Sequence, residues 1–419
     1  MFAQQTQTPL SLSQLLDSAL HNNYLLQANR KNAFIKQAEI EGLKANYQPR
    51  ISTSANFSFW KFLMPNKQKV LGSALTDMYT DISVYQTIYD WGANRAKMSV
   101  AEEEIQMNDE IERQVRQTII WGVSDAYLEL IKANSEISAH INALQQLKSH
   151  LQYAENLYSI GRVSGIDILK INVQISVEEK NLQKAQGVRS NELIRIRRLC
   201  YLNENNTPDI EDMAATLFDK THNFSFSRYS LYDTVMLYHP LLLASDRKIN
   251  IEARQKDIYR LESLPELFSY GVGSWEHGYI PFGDNFNYNI GVGIRYTIPY
   301  WGGSSYKSRM VQSDYRIEQI NDENNQALTD IKKEIDMTLN QIDDIKGEIS
   351  NNRKIIRLSE ETLNNALVKY QAGQGTIIDV LDAQSILTET TISYNISTIN
   401  YLQALVRLHY LTGKDDYPF

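Results

Sequence analysis

A short motif occurs twice in this chain, once from Tyr158 and again from Tyr370. Each copy contains a glycine, then a Ser or Thr, then an Asp three residues later. These positions are Gly161, Ser164 and Asp167 in the first copy and Gly373, Thr376 and Asp379 in the second. Glycine readily ends a helix, and Ser/Thr-x-x-Asp starts the next one as a capping box. The repeat therefore predicts two helical hairpins in a chain built from two copies of one unit.

A strict seven-residue apolar repeat leads up to each motif. It runs through Val123, Leu130, Ile137, Leu144, Leu151 and Tyr158 in the first half, and through Ile335, Ile342, Ile349, Ile356, Leu363 and Tyr370 in the second. Such a repeat makes a helix supercoil around its neighbours. At 1.5 Å per residue each helix would be roughly 100 Å long. The pattern predicts a rod or a tube, and an antiparallel coiled-coil stalk fits this periodicity equally well.

Upstream of each long helix the apolar period changes from seven to two, which predicts a β-hairpin in each half. The apolar positions of the four strands are Ile51, Ala55, Phe57 and Phe59; Ile82, Val84 and Ile88; Phe268, Tyr270 and Val272; and Ile290, Val292, Ile294, Tyr296 and Ile298. Runs of about ten residues suit tilted strands that cross a bilayer, with one face toward lipid and one toward a polar lumen. Four tryptophans near the strand ends fit an aromatic belt, namely Trp60, Trp91, Trp275 and Trp301.

Four strands are too few to close a membrane barrel, which needs about eight or more. Several chains must therefore contribute strands to one barrel. Three chains of four strands would give twelve, an even number within the known range.

Composition excludes several other classes. The net charge of -8 and the lack of a clustered basic surface argue against nucleic acid. The 42% hydrophobic residues are scattered, so no run approaches the roughly 18 apolar residues of a membrane helix. Seven histidines lack paired metal-ligand spacing, and His140 and His150 look like solvated helix positions. The sequence shows no Ser/His/Asp set, phosphate loop or metal constellation, so it gives no indication of an enzyme or a cofactor.

These patterns divide the chain into a first repeat at 1–200, a linker at 201–230, a second repeat at 231–412 and a polar tail at 413–419. The first repeat is predicted to hold a β-hairpin at about 50–90, a long helix at 93–159, a turn at 161–166 and a helix at 167–200. The second repeat is predicted to hold the same elements at about 266–299, 304–371, 373–378 and 379–411.

The duplicated order of helix, hairpin, Trp-Gly pair, long helix and Gly-(x)5-Asp turn resembles the TolC family of outer-membrane efflux channels. The Trp-Gly pairs are Trp91-Gly92 and Trp301-Gly302. The resemblance covers nearly the whole chain. It implies a homotrimer with a twelve-stranded barrel in outer-membrane lipid and a helical tunnel across the periplasm of a Gram-negative bacterium. It further implies that the turns form a tip at which a periplasmic adaptor (membrane fusion) protein docks and couples the channel to an inner-membrane pump.

The resemblance also assigns residues at the tip. Tyr370 matches a tyrosine that bonds a turn aspartate of the neighbouring hairpin, here Asp167, when such channels are closed. Asp379 and Asp382 match acidic positions that narrow the tunnel entrance. Where TolC has an arginine two residues after the second turn glycine, this chain has Gly375, so the resemblance does not extend to an arginine-based lock at that point.

Two functional hypotheses follow from the sequence. The first is a passive outer-membrane channel in a tripartite efflux or type I secretion system, with three copies of Asp379 and Asp382 forming an acidic ring that favours cations. The alternative is a periplasmic coiled-coil scaffold without a channel, which accounts for the heptads but leaves the hairpins without a role. The exported substrate is not encoded in any recognisable motif.

Overall fold

The computed structural model describes residues 10–61, 74–202, 210–277, 285–296 and 305–416. The chain divides into two compact units. One contains Met1–Ala28, Glu112–Pro240 and Ala327–Phe419, and the other contains Asn29–Ile111 and Leu241–Gln326. We call them the helical unit and the sheet unit and describe each separately.

The elements follow in chain order. The first half contains α1 (Leu12–Asn22), α2 (Tyr24–Ala45), β1 (Arg50–Lys61), β2 (Ala74–Tyr89), α3 (Ala93–Ser159) and α4 (Gly165–Cys200). The rest contains α5 (Ala214–Thr221), α6 (Arg228–Tyr238), α7 (Pro240–Glu262), β3 (Glu266–His277), β4 (Asn285–Arg295), α8 (Ser305–Gln371) and α9 (Ile377–Thr412). The two long helices are both 67 residues and the helices after the turns are both 36 residues. Equal lengths in the two halves are what a duplicated unit requires.

The segment predicted as an irregular linker contains the short helix α5. Its buried residues Ala214, Leu217, Phe218 and Thr221 follow helical spacing, and the Tyr401 hydroxyl donates to the Thr221 carbonyl at 2.7 Å. An eight-residue helix between polar loops is too short to produce a recognisable period. Its packing against α9 stabilises it instead.

The helical unit has a core formed by both helical hairpins. Leu147 and Ala154 of α3, Ile171 of α4, Leu363 of α8 and Val380 of α9 belong to one buried cluster. The heptad positions Ile335, Ile342, Ile349, Leu363 and Tyr370 are all buried, as the repeat predicts. Within the described ranges, no helix is long and apolar enough for a bilayer crossing.

His140 and His150 are not solvated, contrary to the sequence-based prediction. The His140 side chain is 12% exposed, and its Nδ1 lies 2.7 Å from a carboxylate oxygen of the equally buried Glu178. Burial lowers the pKa of His150. The polar residues beside the heptad positions predicted that these histidines face solvent. Helix α4 instead covers this part of α3, and a buried His–Glu pair is compatible with such a contact.

The sheet unit contains a four-stranded antiparallel sheet in the order β1-β2-β3-β4. Strand β2 pairs with β3, so the hairpins of the two halves form one sheet. Residues paired across strands share a face. One face, which we call the apolar face, carries exposed large side chains from all four strands, including Phe57, Ile82, Trp275 and Ile290. We call the opposite face, which carries Ser52, Ser83 and Asn289, the mixed face.

The aromatic residues Phe268 and Tyr270 of strand β3 lie on the opposite face of the sheet from the one that the sequence pattern predicts. Phe268, Tyr270 and Val272 were expected on the apolar face, yet Tyr270 pairs with Gly291 and Phe268 with Gly293, which places them on the mixed face. A Cβ at Gly293 would lie only 2.6 Å from the Phe268 ring. Because β4 has glycine at these positions, the rings of β3 occupy the space that β4 side chains would fill.

The end of α9 packs directly against the start of α7. Gly413 has a φ of 73°, and a Cβ there would lie 2.5 Å from the His239 Cα. The following residues are held by α3, since Gln117 donates to the Gly413 carbonyl at 2.7 Å and Arg113 pairs with Asp415 at 2.8 Å. This contact fixes the C-terminal end of α9 within the helical unit.

Replacing Gly413 with alanine should therefore destabilise the protein by at least about 2 kcal/mol, through the left-handed backbone and the backbone clash. Gly347, an exposed position of α8 at which a Cβ would have no neighbour within 4 Å, is the matched control. Gly347→Ala should stabilise by about 1 kcal/mol. Thermal unfolding of both variants checks this, and equal effects would contradict the described packing.

His239 should make stability depend on pH. Burial, together with the nearby Arg113 charge, lowers the pKa of His239 to about 4, whereas the unfolded chain has a value near 6.5. Between these values the unfolded state binds more protons, so stability falls as the pH drops from 7 to 4, by up to about 3 kcal/mol. A His239→Asn variant should lose this part of the pH dependence, and exposed His21→Asn should retain it. An unchanged pH profile in His239→Asn would contradict the prediction.

Candidate functional site

The first hairpin turns at Gly161, the residue predicted to end the long helix. Gly161 has a φ of 72°, and its N–H donates to the Tyr158 carbonyl at 2.9 Å. The predicted capping box then starts α4: the Ser164 hydroxyl accepts from the Ile166 N–H at 3.2 Å, and Asp167 accepts from the Ser164 N–H at 3.4 Å. Local sequence alone accounts for this turn.

The second hairpin repeats the same turn with a tighter cap. Gly373 has a φ of 73°. One Asp379 carboxylate oxygen accepts from the Thr376 N–H at 3.0 Å and from the Thr376 hydroxyl at 2.8 Å. The backbone hydrogen bond, followed by the hydroxyl, lowers the pKa of Asp379. Asp379 is therefore ionised at the start of α9, where the helix dipole also favours a negative charge.

Gly375 lies close to the preceding helix. Its N–H donates to the Lys369 carbonyl at 3.1 Å, and a Cβ would lie 3.1 Å from the Lys369 Cβ and 3.2 Å from the Tyr370 nitrogen. Any side chain here would push against α8. The geometry of this turn favours glycine at the position where TolC has arginine.

The two motif tyrosines have different environments. Tyr370 is only 6% exposed, whereas Tyr158 is 54% exposed and lies against Gly165. The heptad repeat predicts that both tyrosines are buried, which is confirmed for Tyr370 and wrong for Tyr158. The reason is that the hairpins do not pack symmetrically, so equal sequence positions meet different neighbours.

Tyr370 and Asp167 are brought near each other within one chain. Burial and the Asp167 charge raise the pKa of the Tyr370 phenol, and its ring contacts that of Tyr153 with centroids 6.4 Å apart. Among the described residues, however, the Tyr370 hydroxyl has no hydrogen-bond partner. A buried hydroxyl without a partner costs about 1–3 kcal/mol, so an additional acceptor for this hydroxyl would stabilise the protein.

Asp379 and Asp382 both lie exposed on α9, about one turn apart. The buried face of the same helix carries Val380 and Ala383. The two carboxylates thus project away from the core of the hairpins.

A buried polar pair near this site is not indicated by any of the sequence motifs. Gln384 is 4% exposed and donates to the Thr388 hydroxyl at 3.2 Å, and its amide oxygen has no partner within the described part of the chain. Its position one turn beyond the buried Val380 is the signal that could have indicated it.

The predicted belt residues are described in part. Trp91 is half-exposed and donates its indole N–H to the Pro265 carbonyl at 2.7 Å. Trp275 is half-exposed on the apolar face. The Trp60 side chain and Trp301 lie outside the described residues. Across the described ranges, His, Cys, Asp and Glu do not gather in a group that could hold a metal ion.

Comparison with known proteins finds one matching family model, one curated relative and several solved structures with a similar fold. Residues 15–200 match the family model described as outer membrane efflux protein. The outer membrane efflux protein BepC of Brucella suis biovar 1 (strain 1330) is 21% identical over 395 residues, covering 91% of this chain and 81% of BepC.

Solved structures with the same fold include CusC, with a TM-score of 0.80 and 14% identity, covering 99% of this chain and 95% of CusC. VceC of Vibrio cholerae has a TM-score of 0.76 and 17% identity, covering 97% of each chain. The outer membrane channel CmeC of Campylobacter jejuni has a TM-score of 0.74 and 17% identity, covering 98% of this chain and 90% of CmeC. The matches confirm the resemblance to outer membrane efflux proteins of the TolC type and show that the chain shares their fold.

Proposed function

We propose that this chain forms the outer-membrane channel of a tripartite efflux or type I secretion system. The observation that carries the proposal is the apolar face of the sheet. Ile290, Val292 and Ile294 are each more than two-thirds exposed on it, as are Ile51 and Phe57 in β1. Water does not stabilise such a face, whereas the hydrocarbon of a bilayer does.

The proposed assembly is a homotrimer with a twelve-stranded barrel. Within the described sheet, β1 and β4 are edge strands, each paired on one side. Unpaired strand edges are unfavourable in a membrane, so a transmembrane sheet must close on itself. Three copies of the sheet reach the size of a closed barrel, with the apolar faces outside and the mixed faces lining the lumen.

The proposed tunnel ends at the two turns of each chain. Gly161, Ser164 and Asp167 of the first hairpin and Gly373, Thr376 and Asp379 of the second would present the surface at which a periplasmic adaptor docks. The channel would export passively the substrates that an inner-membrane pump delivers. Opening would shift the hairpins apart through adaptor contacts that favour the open arrangement.

The scaffold alternative is disfavoured by the same apolar face. A soluble coiled-coil protein would bury or lack a large apolar patch. The hairpin sheet therefore favours a channel over a stalk.

A charge on the apolar face should block membrane assembly. Val292→Arg should cost about 2–4 kcal/mol if it lies near the bilayer midplane, so little trimer should reach the outer membrane. Asn289→Arg, on the opposite face of the same strand, is the matched control and should leave assembly intact. Membrane fractionation and a gel of the unheated sample measure both, and normal assembly of Val292→Arg would contradict the proposal.

Tyr370 should hold the closed tip through its buried hydroxyl. Tyr370→Phe removes this group without changing the packing volume, so conductance of the resting channel in a planar bilayer should rise several-fold. Tyr158→Phe changes the exposed tyrosine of the other hairpin and should leave the resting conductance unchanged. If Tyr370→Phe instead raises thermal stability without altering conductance, the hydroxyl has no acceptor in the assembly and no gating role.

Asp382 should contribute to an acidic ring at the tunnel entrance. In the proposed trimer, three copies of Asp379 and Asp382 gather and attract cations. Asp382→Ala should reduce cation selectivity and weaken block by multivalent cations. Reversal potentials and block curves in planar bilayers measure this. Unchanged values would contradict the proposal that Asp382 lies at the tunnel entrance.

A further inference from the structure

A cluster of aromatic and charged side chains covers one end of the mixed face. The Tyr85 and Phe268 rings stack with centroids 5.1 Å apart. The Arg295 guanidinium lies over both, 4.8 Å from the Phe268 centroid and 5.2 Å from that of Tyr85. Strands β2, β3 and β4 thus each contribute one side chain to a stack of two rings and a guanidinium. Cation–π contacts orient the guanidinium in this stack.

Gly291 and Gly293 of β4 leave the space that two aromatic rings of β3 occupy. A Cβ at Gly291 would lie 2.8 Å from the Tyr270 hydroxyl, and one at Gly293 would lie 2.6 Å from the Phe268 ring. Both rings therefore lie directly across β4. Larger residues in β4 would lift the rings and displace the guanidinium above them.

A cavity of about 430 Å³ opens beside the cluster. Its size falls in the range of small-molecule sites. Rings in its wall come from Tyr47, Tyr85 and Tyr306. Cations come from Arg50, Lys97 and Arg295. All of its lining residues belong to the sheet unit.

The three carboxylates of the cavity wall are already occupied. Asp90 accepts from the N–H groups of Gly92 and Asn94 at 3.0 and 2.8 Å. Glu262 pairs with Lys97 at 2.6 Å. Glu266 accepts from the Tyr85 and Thr87 hydroxyls at 3.1 and 2.8 Å.

The two arginines, by contrast, have N–H donors without an acceptor among the described residues. Arg295 makes one contact of 3.4 Å with Glu266, although a guanidinium carries five N–H donors. Arg50 has no ion-pair or hydrogen-bond partner among the described residues and lies beside Tyr85 in the β1–β2 register. The lining carries three cations against three carboxylates, and among the described residues Arg50 and the remaining N–H groups of Arg295 are the cationic donors left for a ligand. A planar carboxylate fits such donors.

We infer that this cavity binds aromatic monocarboxylates, with the carboxylate on Arg295 and Arg50 and the ring against Tyr85. The inference rests on the proposed channel, since the mixed face would line the lumen and place three such sites on the solute path. The site would favour anionic aromatic solutes over other cargo at the base of the barrel.

Binding is tested on the detergent-solubilised full-length protein through the fluorescence anisotropy of 2-naphthoate. The neutral 2-naphthamide should compete weakly because it lacks the charge, and cyclohexanecarboxylate should compete weakly because it lacks the flat ring. Arg295→Gln and, independently, Arg50→Gln should each weaken 2-naphthoate binding about tenfold, as expected for loss of a charge-assisted hydrogen bond. Lys44→Gln, which removes an exposed cation of α2 that pairs with Glu41, is the matched control and should bind as the unmodified protein does.

Conductance of the same samples in planar bilayers separates the two proposals. If the protein conducts but binds no 2-naphthoate, or binds it equally well after either arginine substitution, the proposed binding site is wrong. The proposed channel is then unaffected. Equal binding of cyclohexanecarboxylate would overturn the aromatic specificity. Protein that gives no conductance under any condition would overturn the proposed channel itself.

Discussion

Antiparallel pairing of β2 with β3 turns the two hairpins of the chain into one sheet. It joins a strand of the first half to a strand of the second, from Met78 opposite His277 to Tyr89 opposite Leu267. A two-stranded hairpin alone is marginal in water, but the pairing makes a four-stranded sheet with one continuous apolar face. It also aligns the mixed faces, so that Tyr85 of one half can stack on Phe268 of the other.

At the other end of the long helices, duplication produces similar turns with different roles. The caps at Ser164 and Thr376 are formed by local residues and resemble each other closely. The tyrosines before them do not, because only Tyr370 lies in the common core of the hairpins. In our account the second hairpin carries the gate, while the first supplies Asp167 beside it.

Sequence patterns predicted those parts of the fold that depend on neighbours along the chain. The heptads predicted the long helices, alternation predicted the strands, and the turn motif predicted both caps. Features that depend on distant residues were missed. The face of Phe268 is set by Gly293 on the next strand, and burial of His140 is set by Glu178 on the next helix. Of the candidate site, the turns were therefore predictable, whereas the unequal burial of Tyr158 and Tyr370 was not.

In the proposed assembly, one chain supplies one third of a closed barrel. Its most direct test is the copy number of the full-length protein, extracted from membranes in mild detergent, by native mass spectrometry. Our account predicts a single species containing three copies of the 48.2 kDa chain, stable until the detergent is made denaturing. A stable monomer, or an assembly with a copy number other than three, would contradict the account, because the strands would then close differently or not at all.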